Sequence, residues 1–573
     1  MTLGLAACGS SSHGSASSGG TAVKGGTLNM LGTGDVDYMD PNVSYYSVGY
    51  DGLRMWSRQL YTYPATVGQT TDIVPDMATG MPVITNNGTS YAITIRTGVM
   101  WNTTPPRQVT ANDLILGVKR TCNPVQPFGG QPDFSNFIVG YSDFCNGFMK
   151  VNGTVDAIKT YINGNSISGV KADPNNPLTI DFTLTQAVSY FTNMLALPAF
   201  SAAPVEFLNY LPASADLAQH TISDGPYEVK SYNPTNSITF VRNPAWQAST
   251  DPVRKAYVNE IDITETGTQA GILQQLMTNT PQADMMWDTS VSTSAIPGLI
   301  SSNNPGLSLL SEYASNPYIV FNTQSPNNNK AMGNVLIRQA LEYALNRDNL
   351  IQDSGGPMVT PPLTQILPPG IVGATPTYSQ YSNDTTKAKQ LLAQAGFPNG
   401  LTLKFLYRPS TQASANAFTT VQNDLKAVGI TVTGVGVANA DFYTKYLEVP
   451  STAMSGVWDL SLAGWSPDWY GNAAASFFSP LFDGRVLPPT SSNFGLFNDP
   501  TLNTMIDNAL KAPTADAAAP LWHAADMEVM KQAAIFPISA PNRAQFHNTL
   551  VHNCVYVAQI DNCDATNIWL SNS

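Results

Sequence analysis

At 573 residues the chain is too long for one hydrophobic core, and its 43% hydrophobic content is enough to fill two to four domains. Forty acidic against 27 basic residues give a formal charge of −13 without any Lys/Arg cluster, which argues against nucleic acid as a partner. Charged residues are only 12%, with Ser, Thr, Asn, Gly and Pro filling the surface instead, a composition that suits a secreted rather than a disordered protein.

The N-terminus reads M-T-L-G-L-A-A-C. Leu5-Ala6-Ala7-Cys8 resembles a bacterial lipobox, in which small residues precede a cysteine that becomes the lipid-carrying N-terminus. The basic region and most of the apolar region of a signal peptide are absent before it. Gly9 to Gly20 contains only Ser, Gly, Ala and His13, the composition of a flexible tether. Lipobox and tether together predict an extracytoplasmic protein, lipid-anchored through Cys8 to the outer face of the cell membrane. No apolar run of 18 residues occurs further along, so no membrane-spanning helix is predicted. Cys122 and Cys145, then Cys554 and Cys563, form two locally spaced pairs, each expected to close a disulfide in an oxidising compartment. The alternative is a metal site, for which neither a CxxC nor interleaved histidines speak. His547 and His552 read as surface or core histidines.

After Lys24, G-G-T-L-N-M-L predicts an opening strand. Asn87-Gly88 predicts a hairpin whose second strand runs from Tyr91 to Arg96. Thr110 is a natural N-cap for a helix through Leu114, Ile115 and Val118. Leu178–Leu184 alternates as a strand, and a turn at 223–227 leads into a hairpin of Glu228–Tyr232 and Ser237–Arg242. Leu336, Ala340, Leu341, Ala344 and Leu345 make one helical stripe, with Arg338, Glu342 and Arg347 expected outward. A helix over Lys387–Ala395 begins at Asn383 or Asp384 and stops at Gly396. Strand Leu401–Tyr407, a helix from about Ala415 to Val428 and strand Ile430–Val437 form a β-α-β unit with parallel strands.

Val457–Tyr470 carries three of the nine tryptophans. Alternation through Trp458, Leu460, Leu462 and Gly464 predicts a strand, after which Gly464 and Pro467 leave Trp465, Asp468, Trp469 and Tyr470 on a loop. No Lys or Arg lies within ten residues of Asp468. A carboxylate among aromatic faces is suited to a ligand's cationic group, because low local dielectric strengthens the pair; the plainer reading is a turn aspartate after a core strand.

G-G-T-L, V-T-A-N-D-L, D-G-P-Y-E-V with R-N-P-A-W, V-L-I-R-Q-A-L-E-Y-A-L-N-R-D-N-L, K-A-K-Q-L-L-A-Q-A-G-F, D-L-K-A-V-G-I-T-V and D-L-S-L-A-G-W follow one another between about Gly25 and Phe536. In this order they resemble family 5 of the extracellular solute-binding proteins, the oligopeptide- and dipeptide-binding components of ABC importers. The resemblance implies a two-lobed α/β fold of the type II periplasmic-binding-protein kind with an additional inserted domain. Its segments would be 1–24 (signal remnant and tether), 25–64, 201–316 and 536–573 (first lobe), 65–200 (inserted domain) and 317–535 (second lobe). It also implies a monomer that closes on a short peptide or other small solute and docks on membrane permease subunits. In peptide-binding members an aspartate in a G-W-x-x-D-Y-like segment pairs with the peptide's α-ammonium group. Here Gly464, Trp465 and Asp468 match, Trp469 stands at the aromatic position beside Tyr470, and Pro467 is a departure.

A hydrolase would need a nucleophile with its base, paired carboxylates or a metal set. GxSxG, HExxH and P-loop patterns are absent, and the five histidines are scattered. Asp459 and Asp468 are the one pair of carboxylates in this stretch that could meet. The expectation is therefore a binder without catalytic residues, metal or cofactor, with short peptides as ligand. Oligosaccharide binding, ligand sensing without transport and a glycan-processing enzyme are the alternatives.

Overall fold

The computed structural model describes residues 21–135, 137–310, 315–375, 379–410, 412–438, 441–488 and 491–571. Cys8 and most of the tether lie outside the described residues.

Alternation in strand β1 (Thr27–Leu31) turns Leu28 and Met30 into the core. β1 sits inside a five-stranded sheet with β2 (Tyr227–Asn233), β3 (Ser237–Arg242), β4 (Glu260–Thr264) and β5 (Met285–Met286), in the order β2-β3-β4-β1-β5. The hairpin and β4 are antiparallel, whereas β1 runs parallel to both β4 and β5, in register Thr27 to Glu260 and Met30 to Met285. This sheet is one of two five-stranded sheets in the described residues. Between its first two strands in sequence lies a four-stranded antiparallel sheet of Val83–Thr85, Ser90–Thr94, Asn176–Thr183 and Val170–Asp173. Its hairpin turns at Asn87-Gly88, where Asn87 adopts φ 54° and Gly88 φ 86°. The helix Ala111–Arg120 behind it starts with a capping box, Thr110 and Asp113 satisfying each other's backbone donors. Two disulfides, Cys122–Cys145 and Cys554–Cys563, use all four of the downstream cysteines and leave no thiolate for a metal.

The second five-stranded sheet is made of β6 (Asn316–Phe321), β7 (Thr402–Tyr407), β8 (Thr431–Gly436), β9 (Leu460–Trp465) and β10 (Ile535–Pro537), in the order β8-β7-β9-β6-β10. The crossover helix Gln412–Lys426 joins β7 to β8, which pair in parallel as a crossover of that length requires. The helix Thr385–Gln394 is capped by the Asp384 side chain on the Lys387 N–H, and Gly396 past its end has φ 93°.

One sequence expectation is corrected here. Val335–Leu350 is two helices, Val335–Ala344 and Arg347–Asp353, and Arg338 and Glu342 point inward, 4% and 1% exposed. The Arg338 guanidinium donates to the carbonyls of Met332 (2.8 Å), Gln532 (2.9 Å) and Ala533 (3.0 Å), the last two just past the end of helix Ala515–Lys531. Those carbonyls lack intrahelical donors, so a buried arginine serves them. Arg347 is half-buried, stacked 4.6 Å over Phe536 and donating to the Pro537 carbonyl at 2.9 Å.

A fully buried ion network joins residues 54–76 to residues 251–254 and to Asp564. Arg58 and Arg254 both reach Asp76 at 2.8 Å, Asp251 lies 3.6 and 3.3 Å from the same two guanidiniums, and Arg54 meets Asp564 at 2.8 Å. Burial opposes ionisation of Asp251, but Arg58 and Arg254 prevail and hold it well below the usual carboxylate range.

A candidate ligand site around Asp468

β9 ends at Trp465, and the following loop folds back onto the first turn of helix Ala475–Phe482. Ser466 is exposed and Pro467 buried. The Asp468 N–H donates to Ser476 Oγ at 3.0 Å, Ser476 Oγ donates to Asp468 Oδ2 at 3.3 Å, and the Trp465 Nε1–H donates to the Ser476 carbonyl at 2.7 Å. Asp468 is half-buried, and its Oδ1 accepts a 2.6 Å hydrogen bond from the Tyr45 hydroxyl. Tyr45 follows β1 of the first five-stranded sheet and Asp468 follows β9 of the second, so this contact joins the chain around the two sheets.

Local chemistry holds Tyr45 in that position. Asp37 accepts the Ser44 hydroxyl and the Tyr45 N–H, both at 2.6 Å. The Tyr45 ring meets Phe128 edge-on at 5.1 Å, and a Cβ on Gly129 would lie 2.6 Å from its Cδ1. That close approach is open only to glycine. Tyr45 also lines a cavity of about 370 Å³ together with Trp287 and Asp288, which directly follow β5. The carboxyl ends of parallel strands are a common place for ligands.

The other residues of the segment have different surroundings. Trp469 is 2% exposed, stacks on Tyr190 at 5.2 Å and donates Nε1–H to the Asn472 carbonyl at 2.8 Å. Tyr470 is buried: its N–H donates to the Tyr63 hydroxyl at 2.9 Å, and its carbonyl accepts from Asn193 Nδ2 at 2.9 Å. Burial pushes the Tyr63 hydroxyl's pKa far up, so it stays a neutral partner. Gly464 lies within β9 opposite Pro317. Asp459 is at the other end of β9, fully buried, accepting from Ser325 Oγ (2.5 Å), the Lys404 N–H (2.8 Å) and Asn327 Nδ2 (3.1 Å). The strand separates it from Asp468, so these two carboxylates form no acid–base pair.

Sequence reasoning named Asp468 and Trp465 and did not name Tyr45 and Ser476, which the structure places in contact with them. Nothing in the local pattern of Tyr45-Tyr46 distinguishes a residue that acts across 423 positions of chain. Among the described residues no group of three or more His, Cys, Asp or Glu is placed to hold a metal ion, and no helix is long and apolar enough to cross a membrane.

Known proteins share both sequence and shape with this chain. The family model described as bacterial extracellular solute-binding proteins, family 5, middle, matches residues 72–486. The glutathione-binding protein GsiB of Salmonella paratyphi A is 27% identical over 388 residues, covering 66% of this chain and 70% of that protein. Heme-binding protein A of Haemophilus influenzae is 25% identical over 485 residues, 82% and 79% of the two chains. Among solved structures, clavulanic acid biosynthesis oligopeptide binding protein 2 superposes with a TM-score of 0.84 at 22% identity, over 96% of each chain. The periplasmic binding protein DppA of Helicobacter pylori, in complex with the peptide STSA, gives 0.71 at 20% identity over 96% of this chain and 98% of its own. The fold is thus that of two-lobed periplasmic binding proteins, the matched relatives bind substrates rather than convert them, and this chain belongs to family 5 of the bacterial extracellular solute-binding proteins.

Proposed function

We propose that this protein captures short peptides in the cleft between its lobes and delivers them to the membrane subunits of an ABC importer, as a monomer held to the cell surface through a lipid on Cys8. The observation that carries the reading is the carboxylate of Asp468, half-buried where the lobes meet and within 2.6 Å of the Tyr45 hydroxyl. A peptide's α-ammonium offers three donors and a full positive charge, and a carboxylate fixed by Ser476 and Tyr45 is pre-oriented to receive it. Trp465, half-exposed beside it, supplies an aromatic wall. Trp469, Tyr470 and Gly464 contribute by holding the loop on which Asp468 stands. The names of the relatives support the ligand class: one binds glutathione, and one solved neighbour holds a peptide. The lobe segments 25–64, 201–316 and 536–573 would close against 317–535, with 65–200 riding as the inserted domain, and only a ligand's higher affinity for the closed state drives that closure.

Isothermal titration of short peptides tests this directly. Asp468→Ala removes the ammonium's partner and is expected to cost about 2–5 kcal/mol of binding free energy. Peptide affinity unchanged in that variant refutes the anchor. Native mass spectrometry of the gently purified protein tests the class: a spread of short-peptide masses supports it, and a hexose ladder replaces it with oligosaccharide. Labelling with a radioactive fatty acid, lost in Cys8→Ala, tests the anchor to the membrane.

A further inference from the structure

Glu265 is a carboxyl group that the fold buries without giving it a donor. It directly follows β4, is 2% exposed, and neither of its carboxyl oxygens accepts from any N–H or O–H of the described residues. Its backbone is fixed: the N–H donates to the Asn236 carbonyl at 2.9 Å, and beside it the Gly32 N–H on the Thr264 carbonyl at 2.7 Å ties the end of β1 to the end of β4. The side chain that Glu265 faces at hydrogen-bonding range is a second carboxyl, Asp35, on the loop that leaves β1. Two ionised carboxylates repel at such a contact, and one proton between them turns it into a charge-assisted hydrogen bond.

Donors are divided unequally between the two. Asp35 Oδ1 accepts the Val36 N–H at 2.8 Å, and its Oδ2 accepts the Tyr232 hydroxyl at 2.8 Å and the Thr235 N–H at 2.7 Å. Glu265 has no such donor, so the proton resides on Glu265. The charged and titratable groups around it are Asp35 on the loop after β1, Asp288 after β5 and the Tyr232 hydroxyl on β2, with no Lys or Arg among those acting on it. Asp288 is itself engaged, taking the Thr33 N–H at 2.7 Å and the Thr33 hydroxyl at 2.9 Å. Burial first, then Asp35 and Asp288, push the Glu265 carboxyl up to about 8.

The loop that Asp35 anchors is the one that carries Tyr45. Two residues on, Asp37 takes the Ser44 hydroxyl and the Tyr45 N–H, both at 2.6 Å, and the Tyr45 hydroxyl reaches Asp468. We infer that Glu265 and Asp35 share one proton and that this proton gates peptide capture: while present it seats the loop that sets Tyr45 on Asp468, and its loss in alkaline surroundings forces the carboxylates apart and unseats that loop. The inference rests on the peptide reading above. Its direction follows from which state holds the proton. Glu265 stays protonated through neutral pH and ionises as pH passes about 8, so affinity is full below that value and falls above it.

A peptide's own ammonium titrates at about 8 as well and weakens binding to every variant alike, so the informative quantity is the difference between variants. The test is calorimetric titration of the full chain with Ala-Ala-Ala at pH 6.5 and pH 9.5, in wild type, Glu265→Gln and Asp35→Asn. Glutamine donates an N–H to Asp35 at every pH, and asparagine removes the facing charge while keeping the shape. Wild type is expected to lose about tenfold more affinity between the two pH values than either variant. Two variants are used so that a folding defect in one leaves the comparison measurable in the other. Equal losses in all three proteins overturn the gate and leave the peptide reading standing. A loss in Asp35→Asn as large as in wild type, with Glu265→Gln spared, overturns the pairing with Asp35. Failure of the peptide to bind wild type at either pH overturns both readings.

Discussion

Tyr45 and Asp468 make the contact on which the functional reading turns, and each is held by its own surroundings before they meet. Asp37 fixes the backbone and the preceding side chain at Tyr45, and Ser476 fixes Asp468 from both its N–H and its carboxylate. Tyr45→Phe keeps the edge contact with Phe128 and removes only the hydroxyl. A hydrogen bond to a charged group is worth about 1.5–3 kcal/mol of stability and this one is formed within the protein itself, so the melting temperature is expected to fall, and peptide affinity to fall with it because Asp468 is no longer held in its orientation. Calorimetry and a thermal melt on the same sample check both halves; unchanged affinity would show that Tyr45 does not orient the carboxylate. Asp468 was legible as a candidate because its own neighbours in sequence are aromatic and uncharged. Ser476, eight residues on, was not, because a serine at a helix start reads as an ordinary cap.

At the scale of the element, the helix Val335–Ala344 shows where periodicity misleads. Its apolar stripe is where the spacing puts it, but a second face is also buried and carries Arg338 and Glu342. Neither Glu342 oxygen has a hydrogen-bond partner, and burial pushes its carboxyl up to about 8, with Arg347 pulling weakly the other way. A carboxyl raised in the folded state binds its proton more tightly there than in the unfolded chain. Its contribution to stability is therefore complete below the ordinary value of 4.5, is lost as pH rises towards 8 and levels off above it. Urea melts from pH 5 to 9 should show wild type losing stability over this window, on the order of a few kcal/mol, and Glu342→Gln losing much less. Parallel curves for the two proteins would mean that Glu342 ionises freely. Arg338→Ala leaves the carbonyls of Gln532 and Ala533 without their donor, and about 2–4 kcal/mol of stability is expected to go with it in the same assay.

For the whole molecule, the buried network of Arg58, Arg254, Asp76 and Asp251 ties together stretches of chain far apart in sequence, since Asp76 lies between Thr62 and the four-stranded sheet while Asp251 and Arg254 follow the β2-β3 hairpin. Asp76→Ala would strip two fully buried guanidiniums of a shared partner, at a cost of about 3–5 kcal/mol measured by denaturant titration. A loss of less than about 1 kcal/mol would mean that Asp251 alone satisfies both arginines. The second whole-molecule prediction concerns motion: small-angle scattering should show the radius of gyration decreasing when peptide is added to wild type, and no decrease with Asp468→Ala at the same peptide concentration. An identical decrease in both would place the driving contacts for closure elsewhere than Asp468.

The sequence by itself determined the local architecture: the Asn87-Gly88 hairpin, the capping box at Thr110, the Asp384 cap with Gly396 beyond the helix end, and the parallel β7 and β8 with their crossover helix. Each depends on residues within one turn or one crossover of each other, where steric and hydrogen-bonding rules act directly. It also determined the family, because the motifs of both lobes follow in one order along the chain. Only the tertiary structure decided that Tyr45 meets Asp468, that Trp469 packs on Tyr190, that Arg338 and Glu342 turn inward, and that Asp51 and Trp287 share a cavity wall. These contacts join segments hundreds of residues apart, and their partners are chosen by how whole sheets and helices pack, which no local period or spacing encodes.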